Sequence, residues 1–290
     1  MRKNKVLLFF SCFLFCVSCT PKKSDKKIIT VTIEPQRYFA EQLVDSLFEI
    51  STMVPPGISP ETYDPSPVQM AKLADSEAYF RIGQIGFELA WMNKIQKNNP
   101  SLKIFDNSED IAFITSEAHD HDCDSGDHSH SGQDPHVWSS PKSAFIIAQN
   151  MYNALVQLDK DNEEAYRKNL TQLNLKIAET DSIVSSLLSN FKHRSFIIYH
   201  PALTYFAYDY GLTQYCIEIG GKEPTSEQLK QLIDLSKEKS IKTIFIQQEF
   251  DKKNAEIIAK ETGSNLVVIN PLSYHWDKEM IRIAEALSYE

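Results

Sequence analysis

Residues 27–57 read KIITVTIEPQRYFAEQLVDSLFEISTMVPPG. The β-branched run at 27–33 predicts a strand, closed by Glu34-Pro35. Residues 36–47 follow a helical period, with Phe39, Leu43, Val44 and Leu47 on one face. A second strand at 48–54 stops at Pro55-Pro56-Gly57. Strand, helix and strand in that order form the unit of a parallel sheet with right-handed crossovers.

The alternation continues outward from this unit. Ser66-Pro67 is an N-cap with proline at the first helical position and opens a helix near 68–73. Strands follow at 77–82 and 102–105, with an amphipathic helix at 86–97 between them. After residue 194 the pattern repeats, with strands at 195–199, 214–219, 241–246 and 265–269. Helices are expected at 203–210, 226–237, 253–262 and 278–287, and Thr225 with Gln228 forms a capping box for the second of these. Between the halves, 141–158 and 163–190 read as helices. The longer one carries Leu170, Leu173, Ile177, Ile183, Val184, Leu187 and Leu188 at helical spacing. The expected fold is α/β, with two lobes bridged by a long backbone helix. Each lobe has a mainly parallel sheet flanked by helices, and a cleft lies between them. The lobes are placed at 28–139 and 192–290, with connecting helices at 140–191.

The N-terminus is a targeting segment. Arg2, Lys3 and Lys5 precede an apolar run from Val6 to Val17, which is too short to span a bilayer. Residues 1–18 read as a signal peptide. Ser18-Cys19 followed by a polar stretch resembles the lipobox of bacterial lipoproteins, so Cys19 is the expected lipidation site and 19–27 its tether. Of the five cysteines, Cys123 and Cys216 remain for pairing, and their spacing neither demands nor excludes it. Thirty Lys and Arg against 39 Asp and Glu give a net charge of −9, which argues against a nucleic-acid partner and suits cations. The 42% hydrophobic and 24% charged content excludes a disordered or fibrous chain.

Chemistry is concentrated in the histidines. Five of eight lie within residues 119–136, and His119, His121, His128 and His130 are interleaved with Asp120, Asp122, Cys123, Asp124 and Asp127. Imidazole is the commonest ligand for zinc-type metals. The polar, Ser/Gly-rich character of 116–133 makes this loop a weak collector of metal. His136, in Asp134-Pro135-His136-Val137-Trp138, has a backbone fixed by proline and apolar neighbours. His200 follows a strand, as do Glu61, Glu249 and Asn270, and in open α/β sheets ligands bind beyond the carboxyl ends of strands.

These segments resemble the metal-binding solute-binding proteins of bacterial zinc and manganese ABC importers, particularly the zinc branch. The resemblance is carried by residues 54–67, by Asp134-Pro-His-Val-Trp-Ser-Ser-Pro141, by residues 199–212 beginning Tyr199-His200-Pro201, and by Glu223-Pro-Thr-Ser226. It covers essentially the whole chain after the signal peptide. It implies two bridged α/β lobes with the metal between them, a His-rich loop marking the zinc branch, and ligands at His136 and His200. Where the family usually has a third histidine this chain has Glu61, which still suits zinc. The fourth position is left to water, Asn270, Glu249 or the second Glu61 oxygen. The implied function is a monomeric, lipid-anchored, extracytoplasmic protein that captures Zn2+ for a membrane permease and its ATPase. A manganese-specific member of the family is one alternative. A zinc-dependent hydrolase is another, since two His and one Glu also form catalytic sites, but no His-Glu-x-x-His or Gly-x-Ser-x-Gly motif is present.

Overall fold

The computed structural model describes residues 26–115 and 132–289. The first lobe contains β1 (Lys27–Val31), β2 (Phe48–Thr52), β3 (Ser76–Arg81) and β4 (Lys103–Asp106), in the spatial order β2-β1-β3-β4. The second contains β5 (Ser195–Ile198), β6 (Thr213–Cys216), β7 (Thr243–Gln247) and β8 (Asn265–Ile269), in the order β6-β5-β7-β8. Every pairing within the two sheets is parallel. The two lobes thus have the same topology. In each, the chain changes direction across the sheet beside the first strand, between β1 and β3 or between β5 and β7. Crevices at such switch points are where open α/β sheets bind ligands.

The helices of the first lobe are α1 (Glu34–Val44), α2 (Pro67–Leu73) and α3 (Gly86–Asn98). Helix α1 starts two residues earlier than its periodicity suggests. Pro35 falls in its first turn, where the missing N–H is harmless, and the Gln36 side chain accepts the Thr32 and Ile33 N–H groups. The caps read from sequence at Ser66 and Thr225 are both formed: each side chain accepts the N–H three residues on.

α4 (Pro141–Leu158) and α5 (Glu163–Leu188) connect the lobes. The second lobe adds α6 (Thr204–Asp209), α7 (Ser226–Glu238), α8 (Lys253–Thr262) and α9 (Trp276–Ser288). Helix α5 buries Tyr166, Leu170, Leu173, Ile177, Val184 and Leu188 against α1, α4 and α9. Ile183 is partly exposed, so the buried stripe is narrower than its apolar residues suggest.

Among the described residues, the larger of two hydrophobic clusters runs through both lobes, joining Ile29, Val31 and Phe39 to Phe196, Phe245 and Leu287, and the smaller, with Ile197, Ile244 and Ile258, lies in the second lobe. Trp276, at the start of α9, packs its ring against Tyr38 and Phe39 of α1. A shared apolar seam of this kind resists large movement of one lobe against the other.

Candidate metal centre

His136 and His200 meet at this seam. The Asp134-Pro135-His136 segment runs into a single 3-10 turn, Val137–Ser139, that leads to α4. The Asp134 carboxylate accepts both the His136 backbone N–H and its ring Nδ1–H, each at 2.8 Å. Burial works against the Asp134 charge, but the His136 interactions outweigh it and hold the carboxyl below its ordinary pKa. His200 follows β5, and its Nδ1 donates to Glu218 at 2.7 Å. Burial disfavours protonation of His200, yet the hydrogen bond and charge of Glu218 outweigh it and raise the pKa.

Both rings therefore carry their proton on Nδ1 when neutral, leaving each Nε2 with a lone pair. The two Nε2 atoms face each other at 3.1 Å. Two neutral rings so held cannot hydrogen-bond to one another. Two imidazoles on one tetrahedral zinc, each about 2.0–2.1 Å from the metal, stand roughly 3.3 Å apart. The pair is within a few tenths of an ångström of that arrangement. A carboxylate on the far nitrogen of each ring is the usual support of a metal-binding histidine.

The surroundings hold these rings in place. The Gln247 side chain at the end of β7 donates to the His200 carbonyl at 2.7 Å and accepts its N–H at 3.3 Å. Phe250 stacks over His200, and Trp138 meets His136 edge-on. Trp138 Nε1 donates to the Pro271 carbonyl, while Trp276 Nε1 donates to the Trp138 carbonyl. These bonds tie the His136 turn to the loop after β8.

Glu61 approaches from the loop after β2. Its Oε2 accepts the Gly86 N–H at 3.0 Å, and the Pro60 carbonyl accepts the Phe87 N–H at 2.9 Å. The carboxylate thus sits on the N-terminus of α3, where unpaired N–H groups and the helix dipole favour an anion. The approach requires glycine. A Cβ on Gly86 would lie 2.8 Å from Glu61 Oε2 and 3.0 Å from its Cα, and closer still to its carbonyl oxygen. The other carboxylate oxygen, Oε1, is buried without a partner, and so is Oε2 of Glu249. Burial raises the pKa of Glu249.

Glu61, His136, His200 and Glu249 all line a cavity of about 20 Å³. That volume accommodates one water-sized body. Among the described residues, no three His, Cys, Asp or Glu side chains already converge closely enough to hold an ion. The imidazoles face each other, and the two carboxylates stand in the wall.

Asn270 does not line the cavity: its Oδ1 accepts the Leu272 N–H, and its own N–H donates to Glu279. His275 is exposed at the start of α9. His119, His121, His128, His130, Cys123 and Cys19 lie outside the described residues. The base of the loop holding the first five is within them, closed by an antiparallel bridge between Thr115 and Gln133. Cys216 is disulfide-bonded, and Cys123 lies outside the described residues. The sequence reading missed Glu218 as an orienting group, although its place just beyond β6 was a usable signal. It also missed Gly86, whose role depends on a contact with a residue 25 positions away.

Two α/β lobes thus face each other across a small cavity lined by two imidazoles and two carboxylates at their strand ends. The ZnuA family model, "Zinc-uptake complex component A periplasmic", matches residues 29–282, and the chain belongs to that family. A crystal structure of ZnuA superposes with a TM-score of 0.84 at 34% identity, covering 91% of this chain and 98% of that one. The high-affinity zinc uptake system protein ZnuA of Bacillus subtilis is 28% identical over 90% of this chain and 86% of its own length. The zinc-binding lipoprotein AdcA of Streptococcus pneumoniae is 29% identical over 94% of this chain. The chain spans only 56% of the length of that AdcA.

Proposed function

We propose that this protein captures Zn2+ outside the cytoplasm and delivers it to the permease of an ABC importer powered by a separate ATPase. The observation that carries this reading is the pair of opposed Nε2 atoms, 3.1 Å apart, each on a ring anchored by a carboxylate. His136, His200 and Glu61 are assigned as ligands. Zn2+ exchanges its water for the two imidazole lone pairs. Asp134 and Glu218 keep those lone pairs inward and strengthen them as donors, and Glu61 supplies negative charge from the α3 N-terminus. Imidazole with carboxylate suits zinc better than manganese, which favours oxygen donors.

The protein acts as a binding component and not as an enzyme. The match to an uptake-complex component supports this reading. The name of the lipoprotein relative supports a lipid anchor; we place it on Cys19, with residues 1–18 removed, and take the protein as a monomer. Residues 28–139 and 192–290 are taken as the two lobes and 140–191 as the connection. His119, His121, His128 and His130 are taken as a second, weaker group that collects zinc.

The test is titration of metal-free protein with Zn2+ against a competing chelator. His136→Ala and His200→Ala should each abolish the tight phase. Tight binding retained by both variants would refute the assignment.

A further inference from the structure

The cavity has one more donor than the assigned ligand set uses. Glu249 lies two residues beyond β7, and β5 and β7 flank the switch point of the second sheet. The bidentate tie from Gln247 to the His200 backbone joins the loop carrying Glu249 to the turn carrying His200. Phe250, the next residue, stacks on the His200 ring and on Tyr199. Glu249 is therefore built into the same rigid unit as His200, and it lines the same cavity as Glu61 and His136.

Two carboxylate oxygens on residues lining this cavity are buried with no partner, Glu61 Oε1 and Glu249 Oε2. Buried polar atoms in folded proteins are nearly always satisfied, so an orphan in a cavity wall points to a missing ligand. Both ends of the neighbouring Gln247 amide are engaged with the His200 backbone. Asn270 is turned into its own loop.

We propose that Glu249 is the fourth zinc ligand, completing a site of two imidazoles and two carboxylates with one carboxylate from each lobe. This rests on the reading of the cavity as the zinc site. An ion bound by Glu61 Oε1 and Glu249 Oε2 would give both orphans a partner.

The test uses the full mature protein and Zn2+ alone, in competition with a chelator, for wild type, Glu249→Gln, Glu249→Ala, Asn270→Ala and His136→Ala. Co2+ absorption serves as a second readout of coordination. Loss of Glu249 should weaken zinc binding about a hundredfold, at or above the upper end of what losing a supporting residue costs. It should keep a stoichiometry of one at that site and alter the Co2+ d–d bands. The metal-free Glu249→Gln protein should melt no lower than wild type, because an unpartnered buried carboxylate has been removed. Asn270→Ala should bind zinc as wild type does. If Glu249→Gln and Glu249→Ala bind within about threefold of wild type with unchanged Co2+ bands while His136→Ala loses the site, the Glu249 assignment is wrong and the site stands. If His136→Ala also binds normally, the reading of the cavity itself is wrong.

Discussion

Gly86→Ala isolates the cradle that holds Glu61 without altering any donor atom. Two effects oppose each other. Alanine is favoured over glycine in a helix by about 1 kcal/mol. Against this, the new Cβ would stand 2.8 Å from Glu61 Oε2 and 3.0 Å from its Cα, with the carbonyl closer still. Relieving an overpacked contact of this kind costs about 1–3 kcal/mol. Moving the carboxylate away also forfeits its hydrogen bond from the Gly86 N–H, worth about 1.5–3 kcal/mol for a charged acceptor. The expected balance is a net loss of about 3 kcal/mol in metal-free stability, read by urea unfolding. A displaced Glu61 should weaken zinc binding about tenfold or more, read by chelator competition. Gly263→Ala is the control. Gly263 has φ +71° with no atom near its would-be Cβ, so alanine there should cost about 1 kcal/mol in stability and leave zinc affinity unchanged. Wild-type zinc affinity in Gly86→Ala would refute the claim that the α3 N-terminus holds Glu61 for the metal.

Asp134→Asn and Glu218→Gln should each weaken zinc binding about 10–100-fold in the same titration, because each removes the carboxylate that orients a histidine. Either variant binding as wild type would show that its partner ring is held by packing alone. Glu88, buried and hydrogen-bonded to Thr32 and the Ile82 and Gly83 N–H groups, has its pKa pushed up to about 7 by burial. Its folded pKa lies above its unfolded one, so the folded state binds the extra proton. Stability should therefore fall by roughly 3 kcal/mol as pH rises from about 4.5 to 7. Unfolding measured across that range should show this slope in wild type and not in Glu88→Gln, and an identical slope in both would exclude Glu88 as its source. Deleting residues 117–131 should remove the weak zinc phases and leave the tight phase intact, as titration of the deletion variant would show. Loss of the tight phase would place a primary ligand in the loop.

Much of the fold is legible because its signals are local. The turn at Pro55-Pro56-Gly57, the caps at Ser66 and Thr225 and the glycine after 253–262 mark element ends by backbone chemistry alone. Alternation of β-branched runs with helical periods then leaves a parallel sheet as the natural result. His136 and His200 stand out in the same way, the first beside a proline and the second at a strand end. What sequence does not reveal depends on register between distant segments. Asn270 and Glu249 both follow strands of the second sheet, yet the first folds back on its own loop and the second enters the cavity wall. The dependence of Glu61 on Gly86 and of His200 on Glu218 likewise appears only once strands are placed side by side. The continuity of the core across both lobes is also invisible in the sequence, because it depends on α9 returning to pack against α1 and α5.

The most direct test of the account is a crystal structure of the zinc-loaded protein with anomalous data at the zinc edge. The expected result is one strong peak in the cavity between the lobes, about 2.0–2.1 Å from both His136 Nε2 and His200 Nε2, with a Glu61 oxygen at about 2.0–2.2 Å. A fully occupied zinc elsewhere, or one that leaves the two Nε2 atoms unliganded, would contradict it.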